Sequence, residues 1–106
     1  ANLPEDLYWD TQERFSFLLK RKHDWDGAVR LWQLAAENQK MYAYVELAKY
    51  YEHRVRAIED AKTWTEKALA TLEKQVFPAY LYHQWREELE HRLKRLIRKQ
   101  EQLADE

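Results

Sequence analysis

The chain has 106 residues, with 18 Lys and Arg against 19 Asp and Glu, one Gly, two Pro and no Cys. That length suits one hydrophobic core. Charge is nearly balanced in each third of the chain, so no global field draws it to nucleic acid or an anionic membrane. The lack of Cys excludes disulfides and thiolate metal sites. Scarce Gly and Pro argue against a hairpin-rich sheet, and the dominant Ala, Leu, Glu, Lys, Arg and Gln are good helix formers. The expected class is therefore all-α, with five Trp, seven Tyr and three Phe supplying buried area. No apolar run has the length of a membrane span or a secretory leader. A cytoplasmic chain is expected, and the missing initial Met suggests a piece of a longer protein.

The first helix is expected over residues 10–22. Asp10-Thr11-Gln12-Glu13 reads as a capping box, and Phe15, Leu18, Leu19 and Lys22 follow one helical face. Pro4 either begins a short preceding turn or starts this helix earlier. A second helix, residues 26–38 with Asp24 or Asp26 as cap, carries Ala28, Leu31, Trp32, Ala35 and Ala36 on one face. The third, residues 41–54, has Tyr44, Leu47, Ala48 and Tyr51 inside. The fourth, residues 58–74, carries Ala61, Trp64, Ala68, Leu69 and Leu72. Pro78 suits the first position of a fifth helix that continues to about residue 103. All connections are short, which makes successive helices antiparallel neighbours.

The second and fourth helices repeat one another. Ala28 aligns with Ala61, Trp32 with Thr65 and Ala35 with Ala68, an offset of about 33 residues. The first and third align as Phe15 with Leu47 and Leu19 with Tyr51, an offset of about 32. Leu47-Ala48 followed by Tyr51, then Ala61 and Ala68 with one extra residue near Val55, resembles the tetratricopeptide repeat. Phe15-Ser16 with Leu19, then Ala28 and Ala35, resembles it more loosely. The alanines have a physical reason, since small side chains let paired helices cross closely. Ala35-Ala36-Glu37-Asn38 leading into Val45-Glu46-Leu47-Ala48-Lys49-Tyr50-Tyr51 is similar to the Sel1-like repeat. Glu46 through Arg54, and Glu88-Leu89-Glu90-His91-Arg92-Leu93, look like the helical C-terminal tail of bacterial ribonuclease-H-like proteins.

The resemblance implies an α–α superhelix of two repeats, residues 10–40 and 41–75, closed by a capping helix over residues 78–103. It implies a protein-interaction or scaffold module attached to a larger ribonuclease-H-like protein, with any nuclease chemistry outside this chain. The implied groove positions are Glu13, Phe17, Lys20 and Arg21 in the first repeat. In the second they are Tyr42, Val45, Lys49, Glu52 and His53. Lys20, Arg21 and Lys49 are suited to hold a carboxylate, such as a peptide C-terminus. The groove stands open or is filled by the fifth helix.

Two alternatives come from that fifth helix. Leu89, Leu93, Leu96, Gln100 and Leu103 fall at heptad spacing, with Leu81 and Trp85 toward its start. Its first half is expected to cap the fourth helix. Its second half packs in the core, frays, or pairs with a second copy as a homodimer. Arg92, Lys94, Arg95, Arg98 and Lys99 form a basic segment, either a solvated face favoured near a helix C-terminus or a phosphate-tracking surface; Arg92, Arg95, Arg98 and Lys99 are the nucleic-acid candidates.

Catalysis finds no local motif. His83, Glu87 and His91 recur every fourth residue, but the outer pair lie about 12 Å apart along a helix, too far to share one ion. His23, Asp24 and Asp26 read as a helix connection with its cap, and Ser16, at the small position of the first helix, is expected to be buried. Trp32, Trp64 and Trp85 read as core, Trp9 and Trp25 as staples near helix starts. No cofactor is implied.

Overall fold

The structure, a computed structural model, describes residues 3–105. Every regular element among them is helical: α1 Leu3–Arg21, α2 Trp25–Glu37, α3 Met41–Lys49, a π-helical turn Tyr50–Val55, α4 Ile58–Lys74 and α5 Ala79–Ala104. The expected all-α class holds. The chain divides into two units, Ala1–Ala43 and Tyr44–Glu106, with the division inside α3.

In the first unit α1 packs on α2. The helix begins well before Asp10, with Pro4 in its first turn, where a missing N–H costs nothing. The expected capping box is therefore wrong. Asp10 lies inside the helix and pairs with Arg14 at 3.1 Å across one turn. The face is also displaced from the one expected. Phe15 and Leu18 are exposed, and the inward line runs through the half-buried Trp9, Gln12 and Leu19 and the wholly enclosed Ser16. Ser16 meets its polar demand by donating to the Glu13 carbonyl at 2.7 Å. Trp9 accordingly stands mid-helix rather than at a helix start.

α2 starts where its cap chemistry dictates. The Asp24 carboxylate accepts from the Gly27 N–H at 3.0 Å, satisfying one of the orphan donors of the first turn. A Cβ on Gly27 would meet Asp24 Oδ2 at 2.7 Å and Leu19 Cδ1 at 3.1 Å, so the lone glycine permits both the cap and close passage of α1. Ala28, Trp32, Ala35 and Ala36 are buried as expected, with Leu31 at the margin.

Among the described residues, three connections turn on left-handed residues that are not glycine: His23, Gln39 and Arg56, with φ of 62°, 59° and 62°. Such a conformation costs about 1 kcal/mol per residue against glycine. Each closes a helix end by backbone bonds: Asp24 N–H reaches the Leu19 carbonyl at 2.9 Å, Lys40 N–H that of Ala35 at 3.0 Å, and Ala57 N–H that of Tyr51 at 2.7 Å.

In the second unit α4 packs against both α5 and the π turn. The π turn lies where the repeat offset lengthens by one residue; a π turn widens the helix to absorb such a residue without breaking it. Leu47, Ala48, Ala61, Ala68 and Leu72 are fully enclosed, as are Leu89 and Leu96 of α5. Thr65 is buried too, its hydroxyl returned to the Ala61 carbonyl at 2.8 Å. Trp64 and Trp85, expected in the core, are only half-buried. Trp64 lies 6.1 Å from the Tyr44 ring under the Lys67 ammonium, and Trp85 stacks edge-on to Phe77 at 5.1 Å.

The second half of α5 neither projects nor frays before its last turn. Leu96 is sealed in the unit, and Lys62 reaches Gln100 at 3.3 Å. Only Leu103 of the heptad series is exposed.

Candidate functional site

The implied groove positions divide between the two units. In the first, Phe17, Lys20 and Arg21 line an open recess of about 720 Å³ together with Arg14, His23 and Trp25. Four helical positions of α1 supply its wall: residues 14, 17 and 21 share one face of the helix, with residue 20 beside them. The left-handed turn at His23 then brings His23 and Trp25 beside them, their rings 6.4 Å apart. The Lys20 ammonium lies 5.8 Å from the Phe17 ring centre. Three cationic side chains and two large aromatic rings thus share one lining.

Tyr42 packs its ring on Phe17, centroids 6.5 Å apart, and is half-buried. Its hydroxyl is enclosed and finds no hydrogen-bond partner among the described residues. Burial, followed by the charge of Glu13 and the hydroxyl of Tyr8, raises its pKa to about 12. Glu13 is half-buried rather than an open groove position.

In the second unit, two of the implied groove positions are not on a surface at all. Val45 is buried, and Glu52 is the most enclosed carboxylate among the described residues, its side chain showing no exposed area. Lys49, half-buried, pairs with Glu46 at 3.2 Å, and His53 is exposed with its Nε2 3.5 Å from Glu52.

Glu52 instead gathers the basic segment of α5. Arg92 Nη1 donates to Glu52 Oε1 at 2.7 Å. Arg95 grips both oxygens, Nη2 to Oε1 at 2.7 Å and Nε to Oε2 at 2.8 Å, the fork geometry that makes Arg–carboxylate pairs strong. Lys99 completes the set at 2.8 Å from Oε2. Burial pushes the Glu52 carboxyl up, but the hydrogen bonds and charges of Arg95 and Lys99 outweigh it and hold the pKa at about 2. The same hydrogen bond from Arg95 to Glu52 raises the guanidinium further still.

Three of the four nucleic-acid candidates, Arg92, Arg95 and Lys99, therefore have an internal carboxylate as partner, and Arg98 alone remains on the exposed surface. Their spacing held the clue. Arg92 lies between Leu89 and Leu96 on the buried line of α5, and a cation there requires a buried acid opposite. A second recess, about 430 Å³, opens beside this cluster and is lined by Glu52, His53, Arg56, Ile58, Lys99, Gln102 and Leu103.

Among the described residues no group of three or more His, Asp or Glu is placed to hold a metal ion, and no helix is long and apolar enough to cross a membrane. Comparison of the chain with protein-family models, curated proteins and solved structures gives no match.

Proposed function

We propose that this chain is a non-catalytic interaction module that binds an acidic peptide segment in the recess of its first unit. One observation carries this reading: Arg14, Lys20 and Arg21 stand with His23 around Phe17 and Trp25 in one open concavity. Aromatic and Arg side chains are the usual anchors of protein interfaces, and a cation-rich rim selects an acidic partner and speeds its approach. Arg14 is held only by a surface pair with Asp10. Such pairs contribute about 0–1 kcal/mol, so a ligand carboxylate displaces Asp10 at small cost. The likeness to tetratricopeptide and Sel1-like repeats supports the same role. The likeness to the tail of bacterial ribonuclease-H-like proteins favours a cytoplasmic parent carrying its chemistry in another domain.

The test uses a fluorescent peptide alternating glutamate with leucine and phenylalanine, and a control with lysine in place of glutamate. Anisotropy should report saturable binding of the acidic peptide alone, abolished by Lys20→Glu with Arg21→Glu. Equal binding of both peptides, or an unaffected double variant, would refute the recess as the site. Preferential binding of a single-stranded oligonucleotide would replace this reading with a nucleic-acid one.

A further inference from the structure

The second recess carries more positive charge than its buried carboxylate can use. Glu52 accepts four short hydrogen bonds, one from Arg92, two from Arg95 and one from Lys99. That occupies the roughly four lone-pair sites of a carboxylate. His53 is left with a contact of 3.5 Å, and Arg56 has no ion-pair partner among the described residues. Arg56, Arg92, Arg95 and Lys99 stand against Glu52 and Glu88, the latter 3.6 Å from Arg92, which leaves two positive charges over.

The excess is not spread evenly. Arg92 and Arg95 are turned inward, whereas Lys99, His53 and Arg56 line the opening, with the Lys99 side chain 38% exposed. Arg56 is itself the left-handed residue that ends the π turn, at φ 62°. The apolar part of the wall comes from Ile58 and Leu103. We infer that this recess binds a small doubly charged oxyanion of the phosphate-monoester class, held by Arg56, Lys99 and His53 with its organic group against Ile58 and Leu103. A dianion matches the two uncompensated charges, and a monocarboxylate leaves one of them unmet. The site is separate from the peptide recess of the first unit, and neither depends on the other.

The left-handed backbone at residue 56 makes a clean experiment available. Arg56→Gly removes the guanidinium at a position where glycine is the preferred residue, so the variant folds at least as well. Chemical shifts of the ¹⁵N-labelled chain are followed during titration with inorganic phosphate, phenyl phosphate and benzoate, ionic strength being held constant with sodium chloride. Both phosphates should shift His53, Arg56 and Lys99 saturably, phenyl phosphate binding more tightly than phosphate and at least about tenfold more tightly than benzoate. Arg56→Gly should weaken phenyl phosphate about tenfold or more, and Arg56→Lys should restore most of the loss. Shifts no larger than chloride produces, an unaffected Arg56→Gly variant, or benzoate binding as tightly as phenyl phosphate would overturn the assignment.

Discussion

Arg95 closes a two-pronged hydrogen bond on Glu52, at 2.7 and 2.8 Å, across more than forty residues of sequence. With Arg92 and Lys99 it ties three successive turns of α5 to the π turn that follows α3. Burying the Glu52 carboxylate and the Arg92 guanidinium is costly, and it is favourable only when geometry is good and lone pairs are filled. Here they are filled. The basic end of α5 is thereby a structural device before it is anything else.

Replacing Glu52 by Gln would leave Arg92 and Arg95 facing one another over a neutral amide. Breaking a buried pair in this way costs about 3–5 kcal/mol. We expect the midpoint of urea unfolding of Glu52→Gln to drop accordingly, and the double variant Glu52→Gln with Arg95→Met to regain part of the loss. A midpoint within error of the unaltered chain would mean the cluster contributes nothing to stability.

Leu96 tests the standing of the heptad series. Because it is fully enclosed within the second unit, Leu96→Ala should cost about 2–5 kcal/mol in a monomeric chain. Leu103→Asp, at an exposed position, should leave both the thermal midpoint and the sedimentation coefficient unchanged. A concentration-dependent midpoint lost in Leu103→Asp would instead indicate a helix pair between two copies.

Tyr42 offers an opposite sign. Its enclosed hydroxyl has no partner among the described residues, so Tyr42→Phe removes a desolvated polar atom and should be neutral or stabilising by about 1 kcal/mol at neutral pH. The folded pKa is raised from 10.0 to about 12, so the protonated phenol favours folding. That contribution is complete below pH 10, and it is lost as pH rises toward 12. Thermal melts at alkaline pH should therefore decline less steeply in Tyr42→Phe. Destabilisation at neutral pH would show that the hydroxyl is hydrogen-bonded after all.

Helix positions were legible in the sequence wherever small residues mark a crossing. Ala28, Ala35, Ala61 and Ala68 all lie at zero exposure, and the bounds expected for the fourth helix coincide with α4. The errors share one cause, which is that local signals have more than one meaning. Asp10 followed by Glu13 looks like a cap, yet Pro4 had already begun the helix and Arg14 claims the aspartate. Phe15 and Leu18 are apolar but sit on the outer face, while Ser16 takes the crossing because only a small side chain fits.

The site was less legible than the fold. Phe17, Lys20 and Arg21 line one recess, and His23 and Trp25 join it through a left-handed turn that no glycine announces. Glu52 holds a helical position that suits a groove residue. Its burial depends on three cations some forty residues away, and a long-range pairing of that kind leaves no local periodicity to read.

The carboxyl chemistry of Glu52 gives the most direct measurement. Its pKa is lowered from 4.5 to about 2, so its contribution to folding is complete above about pH 4.5 and is lost as pH falls toward 2; the shift corresponds to about 3 kcal/mol. Side-chain carboxyl shifts of Glu52, followed by NMR through an acid titration, should stay in the ionised range until the chain begins to unfold. A midpoint between pH 4 and 5 in the still-folded chain would contradict the buried four-bond cluster.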